Sequence, residues 1–246
     1  VINAGGISYA SYRAQGLMEE LAGYSPDLFI VYTGQNEFLE RRTYEGLSDG
    51  TSWQTGPLSL VSRTRTATVI REIMDLTGIR RGQASHRANE LGDEVKSIPV
   101  NAIGPEAYSR NEELNNEIVE HFRSTLNRMV QISQQENADI LFVVPASNLA
   151  DFAPFRSQHR AGLSDSDLSA WNRYEAHART LMSQDKAAEA LVEIENAEAI
   201  DNRYAALWFL KGQTEWSLGD FDQAKQSFLN ARDEDVCPLR ATERIL

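Results

Sequence analysis

The sequence predicts an α/β half followed by an all-α half, on three observations: two apolar runs that end abruptly in polar turns, amphipathic helical patterning around them, and a self-similarity of 34 residues in the last third of the 246-residue chain. An apolar run of strand length followed by a helix is the building unit of parallel sheets, which bury both faces and so lose the alternating pattern. A fixed repeat of this length marks stacked helical pairs. We place the α/β half at residues 1–165 and the helical half at residues 166–246.

Residues 1–4 form the first short apolar run, interrupted by Asn3, and read as a strand that ends in Gly5-Gly6-Ile7-Ser8-Tyr9. Ala14, Leu17, Met18 and Leu21 then keep the spacing of one helix face. The second run, residues 28–33, breaks into Gly34-Gln35-Asn36-Glu37 at the point where a strand reaches the sheet edge. That edge is where α/β proteins bind ligands. An Asn placed just beyond such a strand can donate to a developing oxyanion, a contact worth roughly 2.7–4 kcal/mol when preorganised.

These two strand-and-turn segments resemble the second and third conserved blocks of the SGNH (GDSL-type) hydrolases, a strand ending in a glycine turn and a G-x-N-D turn; Gly34-Gln35-Asn36-Glu37 carries Glu where the family has Asp. The resemblance implies a flavodoxin-like parallel sheet ordered 2-1-3-4-5, with residues 28–33 and 140–144 adjacent and parallel and residues 1–4 set apart from them. It implies serine ester hydrolysis in which Asn36 gives the side-chain donor of the oxyanion hole. The backbone donor of the second block falls on Ser8, five residues after Asn3, with Gly6 as the alternative. Gly6, Gly34, Glu37 and Asn148 are the remaining candidates for substrate contact.

The family's nucleophilic Ser belongs before Val1 and its Asp-x-x-His after Leu246, so the resemblance makes this chain an internal fragment, inactive by itself. Acyl or acetyl esters of carbohydrates, lipids or small molecules all fit as substrates. Full-length proteins combining such domains are typically bacterial and anchored by an N-terminal apolar segment, which implies extracytoplasmic membrane attachment.

Residues 38–105 form a long stretch with one expected helix at residues 58–76, and read as a lid or pocket-forming insertion or as a flexible surface segment. In residues 106–135, Leu114, Ile118, Phe122, Leu126 and Met129 make one apolar stripe of a long helix. Residues 140–144, ILFVV, then read as a fully buried strand. It ends in Pro145-Ala146-Ser147-Asn148, where Asn148 either reaches substrate or forms the turn. Residues 151–169, with Pro154 and Gly162, read as a linker or meandering connection.

The repeat is explicit in the numbering. Tyr174, Ala178, Ala190, Ile194 and Ala197 recur 34 residues later as Trp208, Gly212, Ala224, Phe228 and Ala231, with Leu218-Gly219-Asp220-Phe221 as a turn between helices. Small residues belong where paired helices approach closely and large ones where gaps must be filled. This pattern resembles the tetratricopeptide repeat. Two repeats are fewer than the three or so that such arrays usually need, so neighbouring elements must cap them, and residues 238–246 begin a further helix suited to that. The resemblance implies repeats that bind a protein partner or wall one side of the substrate pocket.

Composition narrows the alternatives. A net charge of -12 argues against bulk attraction to nucleic acid or an anionic membrane. A single Cys, Cys237, rules out an internal disulfide and a Cys-rich zinc site. No metal, nucleotide or other cofactor motif is present in the sequence. His86, His121, His159 and His177 lack the context of a general base and read as solvated side chains. A rival enzyme reading takes Gly6-Ile7-Ser8-Tyr9-Ala10 as a G-x-S-x-A nucleophile elbow with His159 as its base. A reading of another class makes the chain a non-catalytic interaction protein, its repeats carried on a degenerate hydrolase scaffold.

Overall fold

In the computed structural model the described residues, 1–6, 9–39 and 104–246, form one compact unit. The stretch expected to form a lid and the helix expected at residues 58–76 lie outside the described residues.

Helix α1 (Ser11–Ala22) buries Met18 and leads to strand β1 (Leu28–Tyr32). A single 3-10 turn (Pro105–Ala107) precedes α2 (Glu112–Glu136), whose N-cap Asn111 accepts a hydrogen bond from the Leu114 amide and whose C-cap Asn137 is left-handed at φ 55°. These are the side-chain and backbone devices that satisfy orphaned groups at helix ends. The sequence placed this helix at residue 106; Pro105 and the capping Asn111 delay it to Glu112. Strand β2 (Asp139–Val143) follows directly.

β1 and β2 pair in parallel, Leu28 opposite Asp139 through Tyr32 opposite Val143. Their adjacency and direction are as the sequence implied. Phe29 and Val31 of β1 pack with Ile140 and Phe142 of β2 against Met18 and Ala22 of α1 and Phe122, Leu126, Met129 and Ile132 of α2. The expectation of a fully buried strand is corrected: Leu28, Ile30, Tyr32 and Leu141 are about half exposed, because α1 and α2 cover only one face of the sheet. Residues 1–4 are not a strand. Val1 and Ile2 are exposed, and among the described residues the sheet has two strands, so this segment has no ladder to join.

Four helices complete the unit: α3 (Asp165–Ser183), α4 (Ala187–Ile200), α5 (Ala205–Leu218) and α6 (Phe221–Asp233), with α3 packed on α4, α4 on α5 and α5 on α6. A Ser164 cap, with Asp165 and Asp167 in the first turn, starts α3. Gly219, left-handed at φ 83°, ends α5 and lets the Asp220 amide reach the Glu215 carbonyl at 3.0 Å. The short helix α7 (Arg240–Glu243) closes the chain.

The 34-residue correspondence is carried in the packing. Ala178, Ala190, Ile194 and Ala197 are buried, and so are their counterparts Gly212, Ala224, Phe228 and Ala231; Tyr174 and Trp208 are each partly covered. One substitution pair shows why the residues differ. A Cβ on Gly212 would lie 2.6 Å from the Phe228 ring, so the larger residue in place of Ile194 is matched by the loss of the methyl of Ala178. Volume is conserved across the contact, as close packing requires.

Residues 152–160 are not a free linker. Asp235 accepts from the amides of Phe155 at 2.5 Å, Arg156 at 3.3 Å and Cys237 at 2.9 Å, and the Val236 amide donates to the Arg156 carbonyl at 3.1 Å. Burial pushes the Asp235 carboxyl up from the usual carboxylate range, against the three amides that favour its charge. Among the described residues no helix is long and apolar enough to cross a membrane.

Candidate functional site

The site is built where the chain enters α1 and where it leaves β1. Helix α1 opens on Ala10, whose side chain gives no cap, and its first turn holds no acidic residue of its own. Glu37 supplies both from a distance in sequence. Its carboxylate accepts from the Ser11 amide at 2.8 Å and from the Ser11 hydroxyl at 2.9 Å, and both residues are buried. A carboxylate at a helix N-terminus is favoured by the orphaned amides and the helix dipole together. The last residue of the G-x-N-E turn is thus turned toward α1, and its role is to lock the two segments together.

Truncating this carboxylate strands two buried donors. Glu37→Ala is expected to lower stability by roughly 2–3 kcal/mol, and Glu37→Gln by less because one acceptor oxygen survives. Equal urea midpoints for the wild type and Glu37→Ala would remove the capping role.

Asn36 stands one residue before Glu37. Its Nδ2 donates to the Tyr9 carbonyl at 3.2 Å, so the structure brings the two sequence blocks that carry the resemblance into direct contact. An amide nitrogen has two hydrogens. One is held by Tyr9, which fixes the plane of the group; the other has no acceptor among the described residues.

Around Asn36 the turn is tight. Gly34 sits at φ 118°, a conformation that L side chains rarely adopt, and a Cβ there would lie 3.3 Å from Cζ of Phe122. Gly34 is buried against α2 and α7, so it shapes the turn from beneath. Thr33 Oγ1 and Gln35 Oε1, on either side of it, are buried without a hydrogen-bond partner. Buried polar atoms left unpaired are uncommon and call for a reason.

Gly6 is exposed, and a Cβ on it would fall 2.3 Å from the Tyr9 ring, so a side chain there would require that ring to move. Ser8 lies outside the described residues. Arg13 stands 5.7 Å from the Tyr9 ring centroid and 5.9 Å from that of Tyr12. Asn148 is exposed and closes a local turn with Asp151: its Nδ2 donates to Asp151 Oδ2 at 3.0 Å and its Oδ1 accepts from the Asp151 amide at 3.1 Å. Of its two readings, this geometry is that of the turn former.

The histidines divide. His177 is exposed beside Glu193, and His121 meets the Tyr12 ring edge-on. His159 is not the solvated loop residue expected. Its Nδ1 is 2.8 Å from Oδ2 of Asp201, whose side chain is fully buried, and its ring stacks on Tyr204 and meets Trp171 edge-on. All these partners belong to the helical half.

Sequence reasoning missed two further polar centres. Arg110 donates to Glu234 Oε2 at 2.8 Å and to the carbonyls of Gln158, Arg203 and Glu234, while Arg203 pairs with both Glu234 and Glu112. The Arg203 guanidinium holds the exposed Glu112 carboxyl below its usual range. The acidic run Asp233-Glu234-Asp235 was the only sequence signal for this junction. The other centre is Thr242, whose hydroxyl reaches the Gly34 carbonyl at 2.9 Å from 208 residues away.

No protein-family model, curated protein or solved structure matches the chain.

Proposed function

We propose that this chain is the oxyanion-hole portion of an SGNH-type serine ester hydrolase, carrying a tetratricopeptide-like helical region that serves a protein partner. The observation that carries this reading is the Asn36 amide: it sits just beyond the C-terminal end of a parallel strand, oriented through Tyr9, with one hydrogen that meets no acceptor among the described residues. The Asn36–Tyr9 hydrogen bond that joins the two segments, and the Thr33 and Gln35 side-chain oxygens buried without a partner among the described residues, support it, since the carboxyl ends of parallel strands are where α/β proteins keep ligands. In this reading the Ser nucleophile and the His base act from outside residues 1–246, and the tetrahedral oxyanion is held by Asn36 and a backbone amide at Ser8 or Gly6. The substrate is an acyl or acetyl ester of a carbohydrate, lipid or small molecule. No cofactor takes part, and the setting is extracytoplasmic.

A second reading, a non-catalytic interaction protein, draws support from Trp216 and Phe221, large exposed rings in edge contact at 4.8 Å on the helical half.

Fluorophosphonate labelling of the full-length protein, followed by mapping of the adduct, separates these readings. An adduct on a serine outside residues 1–246 is the expected result, with no ester hydrolysis by the 246-residue chain alone. An adduct on Ser8 would instead make Ser8 the nucleophile. Absence of both adduct and ester turnover in the full-length protein would leave the interaction reading.

A further inference from the structure

We infer that Thr242 is a positioning residue for the Asn36 turn, through which the end of the helical half sets the geometry of the candidate oxyanion hole; the functional part of this inference rests on the hydrolase reading. The Thr242 side chain is buried, and its hydroxyl lies 2.9 Å from the Gly34 carbonyl and 2.7 Å from the Leu239 carbonyl. A threonine has one hydroxyl hydrogen, so the two acceptors share it. The Leu239 contact is the local back-bond of a helix end. The Gly34 contact is long-range, and it lands two residues before Asn36.

Gly34 is where direction is decided. At φ 118° its backbone lies outside the wells that hold other residues, so local preferences alone leave the following peptide loosely determined. The Gly34 carbonyl belongs to the peptide plane it shares with Gln35. Holding that oxygen fixes the plane, and with it the direction in which Gln35 and Asn36 depart.

The group that holds it is itself held. Arg240 pairs with Asp233 at 2.5 Å and donates to the Leu229 carbonyl at 3.2 Å; Arg232 pairs with Glu243 and Arg244 with Asp233. These contacts clamp α7 to α6. On the other side Ile245 and Leu246 pack against the core formed by α1, α2 and the sheet. A contiguous path of packed and hydrogen-bonded groups therefore runs from α6 through α7 and Thr242 to Gly34 and Asn36.

The test compares Thr242→Val, which keeps the shape and removes the hydroxyl, with Thr242→Ser, which keeps the hydroxyl, and with Ile194→Ala, which loosens the separate core that Ile194 forms with Trp171, Ala178 and Leu210. In the full-length protein acting on a model ester, Thr242→Val is expected to lower kcat about tenfold with KM nearly unchanged, because misplacement of a transition-state donor acts on turnover. Thr242→Ser restores turnover, and Ile194→Ala lowers thermal stability with kcat kept. In NMR spectra of the 246-residue chain, Thr242→Val shifts the Gln35 amide and the Asn36 side-chain amide pair, and Thr242→Ser returns them. Unmoved Gln35 and Asn36 signals in Thr242→Val overturn the inference, as does a kcat loss equal in Thr242→Val and Ile194→Ala. A full-length wild type without ester turnover defeats the hydrolase reading and the functional part of this one, while the NMR comparison still decides whether Thr242 holds the turn. If Thr242→Val does not fold, unshifted Gln35 and Asn36 signals in Thr242→Ala overturn the inference in the same way.

Discussion

Asn36→Ala in the full-length protein is expected to lower kcat for ester hydrolysis by roughly 10²- to 10³-fold while KM stays close to the wild-type value. The asymmetry follows from when the bond forms. A ground-state carbonyl oxygen is a weak acceptor some distance from the site, whereas the tetrahedral oxyanion carries the charge at the point where the donor waits. Asn36 meets the requirement of preorganisation because its other hydrogen is already held by the Tyr9 carbonyl at 3.2 Å, so no reorganisation is needed during the reaction. The same tie gives the substitution a structural cost, about 1 kcal/mol for one lost partly buried hydrogen bond. That cost is far too small to empty the folded state. Steady-state kinetics beside a denaturation curve will separate the two effects, and wild-type turnover in Asn36→Ala would end the oxyanion assignment.

The largest effect on stability is expected at Asp201. Its carboxylate, fully buried, accepts from the amides of Arg160 at 3.2 Å and Arg203 at 2.9 Å and lies 2.8 Å from Nδ1 of His159. Trp171 Nε1 adds a bond to the Asp201 carbonyl at 3.3 Å. One residue thus joins the loop before α3, the α4–α5 turn and the ring cluster of His159, Trp171 and Tyr204. Asp201→Ala leaves three donors facing a void, for a loss of roughly 3–5 kcal/mol. Asp201→Asn keeps one acceptor oxygen and should lose clearly less. Thermal unfolding of the two variants will show the order, since each kcal/mol moves Tm by about 2–4 °C in a chain of this size. A Tm for Asp201→Ala within a degree or two of the wild type would show that the cluster is held by ring packing alone.

Several elements were legible before any coordinates because their cause is local. The stripe Leu114, Ile118, Phe122, Leu126 and Met129 specifies one face of α2 wherever that helix is placed; the last four are buried and Leu114 is partly so. Residues 28–33 and 140–144 read as strands from their apolar runs; that they lie adjacent and parallel is what the resemblance implied, and β1 and β2 pair so. The 34-residue spacing named the small and large positions of the helical half, and those positions pack as their sizes require. Gly34 was legible as a turn, for only glycine is at ease at its φ.

What failed did so where the deciding partner is distant. Residues 1–4 have the composition of a strand, but a strand exists only where another offers its ladder, and composition carries no information about that partner. His159 looked like any polar loop residue because Asp201 and Tyr204 lie more than 40 residues further on. Nothing in the sequence marks Glu37 as a cap, because the helix end it caps begins 26 residues earlier.

By itself, then, the sequence determined the helices, the two apolar strand segments and the repeat, because side-chain periodicity and steric size act within a few residues of their source. Tertiary structure alone decided which buried polar group answers which: Glu37 for Ser11, Tyr9 for Asn36, Asp201 for His159, Thr242 for Gly34. A hydrogen bond needs its donor and acceptor within about 3 Å, and segments far apart in the chain meet at that distance only after the core has formed.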